Sequence, residues 1–229
     1  MNIDKKEIKK FDDISYSWWD PEGPFKPLHM LNPVRTDFIK NRIDLKDKTL
    51  IDVGCGGGLL CENLAEHSKK VKGIDMSNEA IKIAKTHQSL KNLKIDYEEI
   101  ALESLLKKSK IKYDVLTCME LVEHVPDPEK LIKDCVKITN RKADLFFSTL
   151  NRNLISYIIA IIGAEYILSI LPKGTHKYEK FIKPSEFSKV LRSNDLIVED
   201  IKGISFNLLT NKFFESNNTD INYILHCKK

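Results

Sequence analysis

Thr49-Leu50-Ile51-Asp52-Val53-Gly54-Cys55-Gly56-Gly57-Gly58-Leu59 is the stretch that decides the fold. A short apolar strand runs into a glycine-rich turn, and Leu59–His67 then follows a helical pattern. Open α/β sheets bind nucleotide-type cofactors at such turns, because glycine lets backbone approach a ligand with no Cβ in the way. The same rhythm recurs outward from this stretch. Val71–Asp75 is a second strand, and Ser77 is a natural N-cap for a helix running to about Leu90. Ile95–Glu98, Tyr113–Cys118 and Leu145–Thr149 are the third to fifth strands, with a helix opening near Pro128. A helix over Pro184–Arg192, a strand over Leu196–Lys202 and a last strand over Tyr223–Cys227 complete the series. This alternation predicts an α/β protein built on a parallel sheet.

The chain has 229 residues, 42% hydrophobic and 31% charged, which is globular rather than disordered. Its length suits one domain with additions, and a core of this size buries roughly 70% of the unfolded surface without a metal or disulfide. Lysine and arginine number 37 against 33 acids, a net charge of +4 spread along the sequence. A binder of polynucleotide shows a stronger, clustered excess, so no nucleic-acid partner is expected. Five cysteines, Cys55, Cys61, Cys118, Cys135 and Cys227, form no CxxC pair. A zinc ribbon and a disulfide scaffold are therefore unsupported. The lysine-rich start, Met1 to Lys10, has no apolar segment behind it of the kind a secretory signal needs, and a cytoplasmic setting is expected. Residues 1–47 form an aromatic- and proline-rich arm, and 48–229 the main domain, with an apolar insertion at about 154–176. Leu154–Leu171 within it is mostly Ile, Leu and Ala, yet it carries Glu165, ends at Pro172 and falls short of the ~20 residues a spanning helix needs. It is a core or cap helix, or an interfacial one.

Spacing separates two cofactor classes. The dinucleotide fingerprint G-x-G-x-x-G requires a third glycine where Leu59 stands. Here the glycines are Gly54, Gly56 and Gly58, preceded by Asp52 and followed by Asp75 at the end of the next strand. This form resembles motif I of class I S-adenosylmethionine (SAM) methyltransferases. An acid beside the loop suits the ammonium group of SAM, whereas it repels a diphosphate. Asp75 is placed to accept hydrogen bonds from a ribose diol.

More specific blocks extend the likeness. Ser17-Trp18-Trp19-Asp20-Pro21-Glu22-Gly23-Pro24-Phe25, Asn32-Pro33-Val34-Arg35, Cys118-Met119-Glu120-Leu121-Val122-Glu123-His124-Val125-Pro126 and Phe146-Phe147-Ser148-Thr149-Leu150-Asn151-Arg152 resemble the bacterial ubiquinone-biosynthesis O-methyltransferases. Gly163-Ala164-Glu165-Tyr166, Pro172-Lys173-Gly174-Thr175-His176 and the closing Asn222-Tyr223-Ile224-Leu225-His226 carry the similarity to the end of the chain. The resemblance implies a class I fold: a seven-stranded, mostly parallel sheet with helices on both faces and an antiparallel last strand. It implies SAM-dependent methylation of catechol-type hydroxyls on polyprenylated rings, 2-polyprenyl-6-hydroxyphenol and 3-demethylubiquinol. Arg35, Gly54, Asp75 and Met119 match the family's SAM-binding positions. Arg35 suits the methionine carboxylate, and Met119 packs softly on adenine.

Methyl transfer from a sulfonium is an in-line displacement, so positioning dominates. The acceptor must also lose its proton, and a phenol has a pKa of about 10, so a base or a Lewis acid helps. Glu120, Glu123 and His124 are the dense polar cluster at a strand end, spaced so that one helical turn brings them together. Three readings stand: a divalent cation, Mg²⁺ as in relatives, held by the trio; a metal-free base, His124 or a glutamate; or a histidine that only shapes the pocket. His29 and His176 are further polar candidates. Trp18, Trp19 and Phe25 are walls for an aromatic acceptor or staples for the arm.

Under the resemblance the insertion at about 154–176 gains a role at the membrane surface, with Lys173, Lys177, Lys180 and Lys183 facing anionic lipid. The protein is then peripheral at the inner face of the cell membrane, with a ubiquinone-biosynthesis complex as a further partner. Rival readings are an NAD(P)-linked oxidoreductase, disfavoured by glycine spacing, a SAM methyltransferase of another phenol or of RNA, and a non-catalytic scaffold. An adenine-methylating Asn/Asp-Pro-Pro-Tyr pattern is absent, since Asn32-Pro33 leads into Val34-Arg35.

Overall fold

β1 (Thr49–Val53) is buried over Leu50–Val53, so both its faces are covered. Leu50 points to one side and Ile51 and Val53 to the other, the period-two alternation of a strand between two helical layers. The computed structural model describes residues 2–157 and 178–229. In that range β1 is followed by α3 (Leu59–Ala65), β2 (Lys70–Asp75), α4 (Asn78–Leu90), β3 (Ile95–Glu99) and α5 (Leu102–Lys108). Then come β4 (Tyr113–Met119), α6 (Pro128–Ile138), β5 (Thr139–Leu150), the short α7 (Leu154–Ser156) and α8 (Pro184–Ser193). β6 (Ile197–Asn207), β7 (Lys212–Ser216) and β8 (Asn222–Lys228) close the sheet. Two helices precede it, α1 (Lys5–Ile14) and α2 (Lys26–Lys40).

The strand order is β3-β2-β1-β4-β5-β8-β6-β7. β1 to β5 pair in parallel, and β8 runs antiparallel between β5 and β6. The α/β class and the antiparallel last strand are as expected from the sequence. The strand number is not: the described residues hold eight strands, where seven were expected. The added one, β7, is an edge strand pairing only with β6, and its residues are exposed or half-buried. Such a strand carries no buried run, which is the signal that finds a strand in sequence. β5 is also longer than Leu145–Thr149, starting at Thr139.

One core lies under α5, α6 and α8, where Leu105, Ile132, Cys135, Phe187 and Leu191 meet Leu116, Phe147 and Leu225. On the opposite face α2, α3 and α4 bring Phe38, Ile39, Leu64 and Ala84 against Leu50, Val115, Phe146 and Ile224. The arm assigned to residues 1–47 therefore contributes, through α2, a helix that covers the sheet. Ser77 caps α4 as expected, its hydroxyl accepting the Ala80 N–H at 2.9 Å. All five cysteines are buried and unpaired. Of the apolar stretch Leu154–Leu171, residues 158–171 lie outside the described residues, as does His176.

Parallel strands put every β1–β5 C-terminus, and that of β6, on one edge, where ligands of such sheets bind. The turn after β1 is supported from below by Tyr97 of β3. Its ring lies over Gly73 in β2, where a Cβ would meet Tyr97 carbons at 2.6 and 2.7 Å and Cys55 Sγ at 2.9 Å. Gly73→Ala is expected to displace that ring and destabilise the protein by about 1–3 kcal/mol, read as a lower urea midpoint at unchanged slope.

Candidate active site

The turn Gly54–Gly58 holds three left-handed glycines, Gly54 (φ 79°), Gly56 (φ 52°) and Gly58 (φ 89°). Gly54 and Cys55 both donate backbone N–H groups to the Ile74 carbonyl, at 2.9 and 3.1 Å. Asp75 finishes the attachment: one carboxylate oxygen accepts the Gly56 N–H at 2.9 Å and the other the Ser77 N–H at 2.8 Å. Burial nonetheless raises the Asp75 pKa above the usual carboxylate value, against these backbone donors. Glycine at 56 and 57 has a second cause, for Trp18 lies directly over both and a Cβ on either would fall inside its indole.

The N-terminal arm is thereby pinned to the loop. Trp18 is buried against Phe25, ring centroids 4.1 Å apart, and packs on Leu59 and Ala80. Trp19 donates its indole N–H to the Gly57 carbonyl at 3.1 Å and stacks on His87 at 3.4 Å. His87 is in turn held by both oxygens of Glu62 at 2.8 Å. His29 is 2.8 Å from the Trp18 carbonyl, so it fixes the arm's backbone. Trp19 is therefore a staple, while Trp18 and Phe25 also wall a cavity of about 950 Å³.

That cavity brings together Arg35, Gly54, Asp75 and Met119, the four residues expected to bind the cofactor. Asp52 also reaches it, buried and bonded to the Thr117 hydroxyl at 2.6 Å and the Cys61 thiol at 3.4 Å. Burial pushes its pKa up to about 6, outweighing both donors. Arg35 is buried on α2, with one terminal nitrogen 2.8 Å from Glu120 Oε1 and its Nε buried without a partner.

Glu120, Glu123 and His124 all follow β4 but do not share one helical turn. Glu120 precedes the 3₁₀ turn Val122–His124 and sits at φ 50°, an uncommon backbone conformation for a residue with a Cβ. Its N–H donates to the Ser148 carbonyl at 3.0 Å, and its carboxylate takes Arg35 and the Ser148 hydroxyl at 2.7 Å. Glu123 is buried with the Thr149 hydroxyl near its carboxylate but no well-formed hydrogen bond to either oxygen, and burial together with nearby Glu120 pushes its pKa up to about 7. His124 Nδ1 is 3.2 Å from Glu7 of α1, and its ring meets Phe11 edge-on at 5.6 Å. Burial pulls the His124 pKa down, but Glu7, Glu123 and Glu120 raise it above the ordinary histidine value. The hydrogen bond to His124 holds Glu7 at about 2. As arranged the trio does not fit a divalent cation: among the described residues no group of three or more His, Cys, Asp or Glu is placed to hold one.

Glu7, absent from the residues expected at the site, stands 117 positions from its partner, and no local spacing marks such a pair. Ser148 had no signal either, since its hydroxyl is hidden within a buried strand.

Asp52 offers a direct electrostatic test. Between its unperturbed value of 3.8 and about 6, the folded state holds a proton that the unfolded state has lost, so ligand-free stability falls as pH rises through that window. Asp52→Asn removes this penalty. Its stability relative to wild type is expected to be near zero at pH 4 and to climb to at most about 3 kcal/mol above pH 6, measured by urea denaturation across pH 4–8. A difference independent of pH would show that Asp52 stays charged in the fold.

Residues 28–200 match the family model described as a methyltransferase domain. A ubiquinone biosynthesis O-methyltransferase of Paraburkholderia phymatum is 48% identical over 228 residues, covering 100% of this chain and 98% of that protein. One of the same name from Burkholderia vietnamiensis is 47% identical over the same lengths. Among solved structures, a SAM-dependent methyltransferase of Thermotoga maritima, a possible histamine N-methyltransferase, superposes with a TM-score of 0.67 at 14% identity, covering 97% of this chain and 99% of the other. Magnesium protoporphyrin IX methyltransferase of Synechocystis, crystallised with SAM, gives 0.61 at 16% identity over 97% of this chain and 83% of its own. These structural likenesses carry the fold, and the full-length sequence identity carries the family: this chain belongs to the ubiquinone biosynthesis O-methyltransferases.

Proposed function

We propose that this chain uses SAM to methylate catechol-type hydroxyls of ubiquinone precursors, 2-polyprenyl-6-hydroxyphenol and 3-demethylubiquinol. The observation that carries this reading is one cavity that joins a glycine loop flanked by Asp52 and Asp75 to a large, mostly apolar space reaching His124. SAM when bound supplies an electrophilic methyl group on a sulfonium. Arg35 suits its carboxylate, since a buried guanidinium Nε without a partner is costly until an anion takes it. Asp52 complements the ammonium group, and a charge brought beside it favours the ionised carboxylate. Both Asp75 oxygens already accept backbone N–H groups, yet each keeps a lone pair for a ribose hydroxyl. Met119, at the end of β4, lines the same cavity, and a soft thioether there suits adenine.

For the acceptor, the favoured base is His124. A carboxylate on Nδ1 selects the tautomer in which Nε2 is the basic nitrogen, and it stabilises the imidazolium formed on proton uptake. Glu7 is then a positioning residue. One observation favours a second reading with Mg²⁺: the buried Glu123 carboxylate beside Glu120, which has no well-formed hydrogen bond. It requires Glu120 to leave Arg35 and His124 to leave Glu7.

No helix of the described residues is long and apolar enough to cross a membrane. Membrane contact through residues about 154–176 and membership of a ubiquinone-biosynthesis complex are part of the same proposal. The membrane part rests on the apolar sequence and its following lysines, and the complex on the family likeness alone. Leu154, Ile155 and Tyr157, at the start of that stretch, are exposed.

Transfer from labelled SAM to a short-tailed demethylubiquinol tests the activity. His124→Ala is expected to lower kcat about 100-fold or more with SAM affinity within about twofold of wild type. Wild-type kcat is expected to survive EDTA and to rise with pH through a value above the ordinary histidine range; collapse in EDTA would favour the metal reading instead. Membrane contact has its own assay, flotation with anionic liposomes. Ile158→Asp with Ile162→Asp is expected to abolish binding, and unchanged flotation would remove that part of the proposal.

A further inference from the structure

The β6–β7 hairpin is a part of the molecule that SAM chemistry does not explain. β6 runs parallel to β5, so its end at Asn207 lies on the active-site edge of the sheet. Ile204 and Phe206 share one face of β6, and Phe206 pairs across the hairpin with Phe213, ring centroids 4.9 Å apart. Ile204, Phe206 and Phe213 all line the cavity that contains Met119, Glu120 and His124.

The base of the hairpin is clamped to α2. Arg42, just past that helix, holds Asp200 of β6 at 2.5 Å and Glu215 of β7 at 2.8 Å, with its guanidinium over the Phe38 ring. Beyond the clamp the two phenylalanines stand as a wall. The tip is an ordered turn, since the Asn207 side-chain oxygen accepts the N–H groups of Leu209 and Thr210 at 2.9 and 3.2 Å. It nevertheless presents Leu208 and Leu209 at 85% and 97% exposure. The exposed leucines come just after Phe206, which lines the cavity, so the apolar tip of the hairpin lies next to the wall that runs into the active site.

We propose that this hairpin holds the isoprenoid tail of the acceptor: Phe206 and Phe213 grip the units next to the ring, and Leu208 and Leu209 mark where the tail leaves the protein. This rests on the proposed function. The face is continuous with the site cavity, and an apolar chain attached to the methylated ring is the occupant that continuity selects. The hairpin would then set preference for tailed acceptors through binding, without a part in the chemistry.

Steady-state kinetics with two soluble acceptors in the absence of lipid test the proposal: a demethylubiquinol bearing two isoprene units, and the same ring with a methyl group instead. Wild type is expected to prefer the tailed ring by about tenfold or more in kcat/KM. The pair Phe206→Ser and Phe213→Ser is expected to erase at least about tenfold of that preference through KM on the tailed ring, with kcat and the untailed reaction retained. Should the pair lose SAM binding, Phe206→Ser alone decides, because that side chain is 38% exposed and its loss spares the core; a drop in preference of about threefold or more is expected. An unchanged preference, or an equal loss on both acceptors, overturns the tail assignment. Wild-type transfer to both rings without preference also overturns it and leaves the proposed function standing. Transfer to neither ring removes the proposed function itself and the tail assignment with it.

Discussion

The carboxylate of Asp75 is the constraint on which the site depends. It ends β2, yet it bonds the Gly56 N–H across the neighbouring strand's turn and the Ser77 N–H at the start of α4. One side chain thus joins β2, the glycine loop and the helix that follows. A loop with three residues at positive φ has little to hold it in place by its own contacts, so its shape comes from this acceptor and from the Ile74 carbonyl beneath. The same requirement for glycine admits Trp18 on the other side, and the arm is attached to the cofactor loop directly.

Charge is concentrated at the ends of β1 and β4 in a way that folding alone does not favour. Asp52 and Glu123 are buried carboxylates with pKa values pushed to about 6 and about 7, and Arg35 keeps an unpartnered Nε. Burying a charge without a partner costs free energy, and a protein selected only for stability would replace such groups. Asp52 and Arg35 line one cavity with Glu120, which sits in a left-handed conformation, and charged groups held in this way are the kind that functional sites keep. Glu120 links the two halves of the site. It ties Arg35, from the arm, to Ser148, from β5, so a change at either residue acts on the same carboxylate.

Most of the central sheet was legible in sequence because its signals are local. Leu50 to Val53 form a run that only a strand buried on both faces requires, Ser77 caps the helix after it, and Gly54, Gly56 and Gly58 fall at a spacing that excludes the dinucleotide fingerprint. β7 was missed because an edge strand with half-exposed residues has no such run. The proximity of Glu120, Glu123 and His124 was expected from spacing, but their separation was not. The positive φ at Glu120 turns its carboxylate toward Arg35, and Glu7 takes the histidine.

By itself the sequence determined the fold class, the cofactor-type loop and the family, since each of these is written in residues close together along the chain or in full-length likeness. Only the tertiary structure decided that the arm's Trp18 lies on the loop, that Arg35 is held by Glu120, and that Glu7 and His124 form a pair. These contacts join residues brought together by the packing of α1 and α2 on the sheet. Their energies depend on burial and distance, which no spacing along a chain encodes.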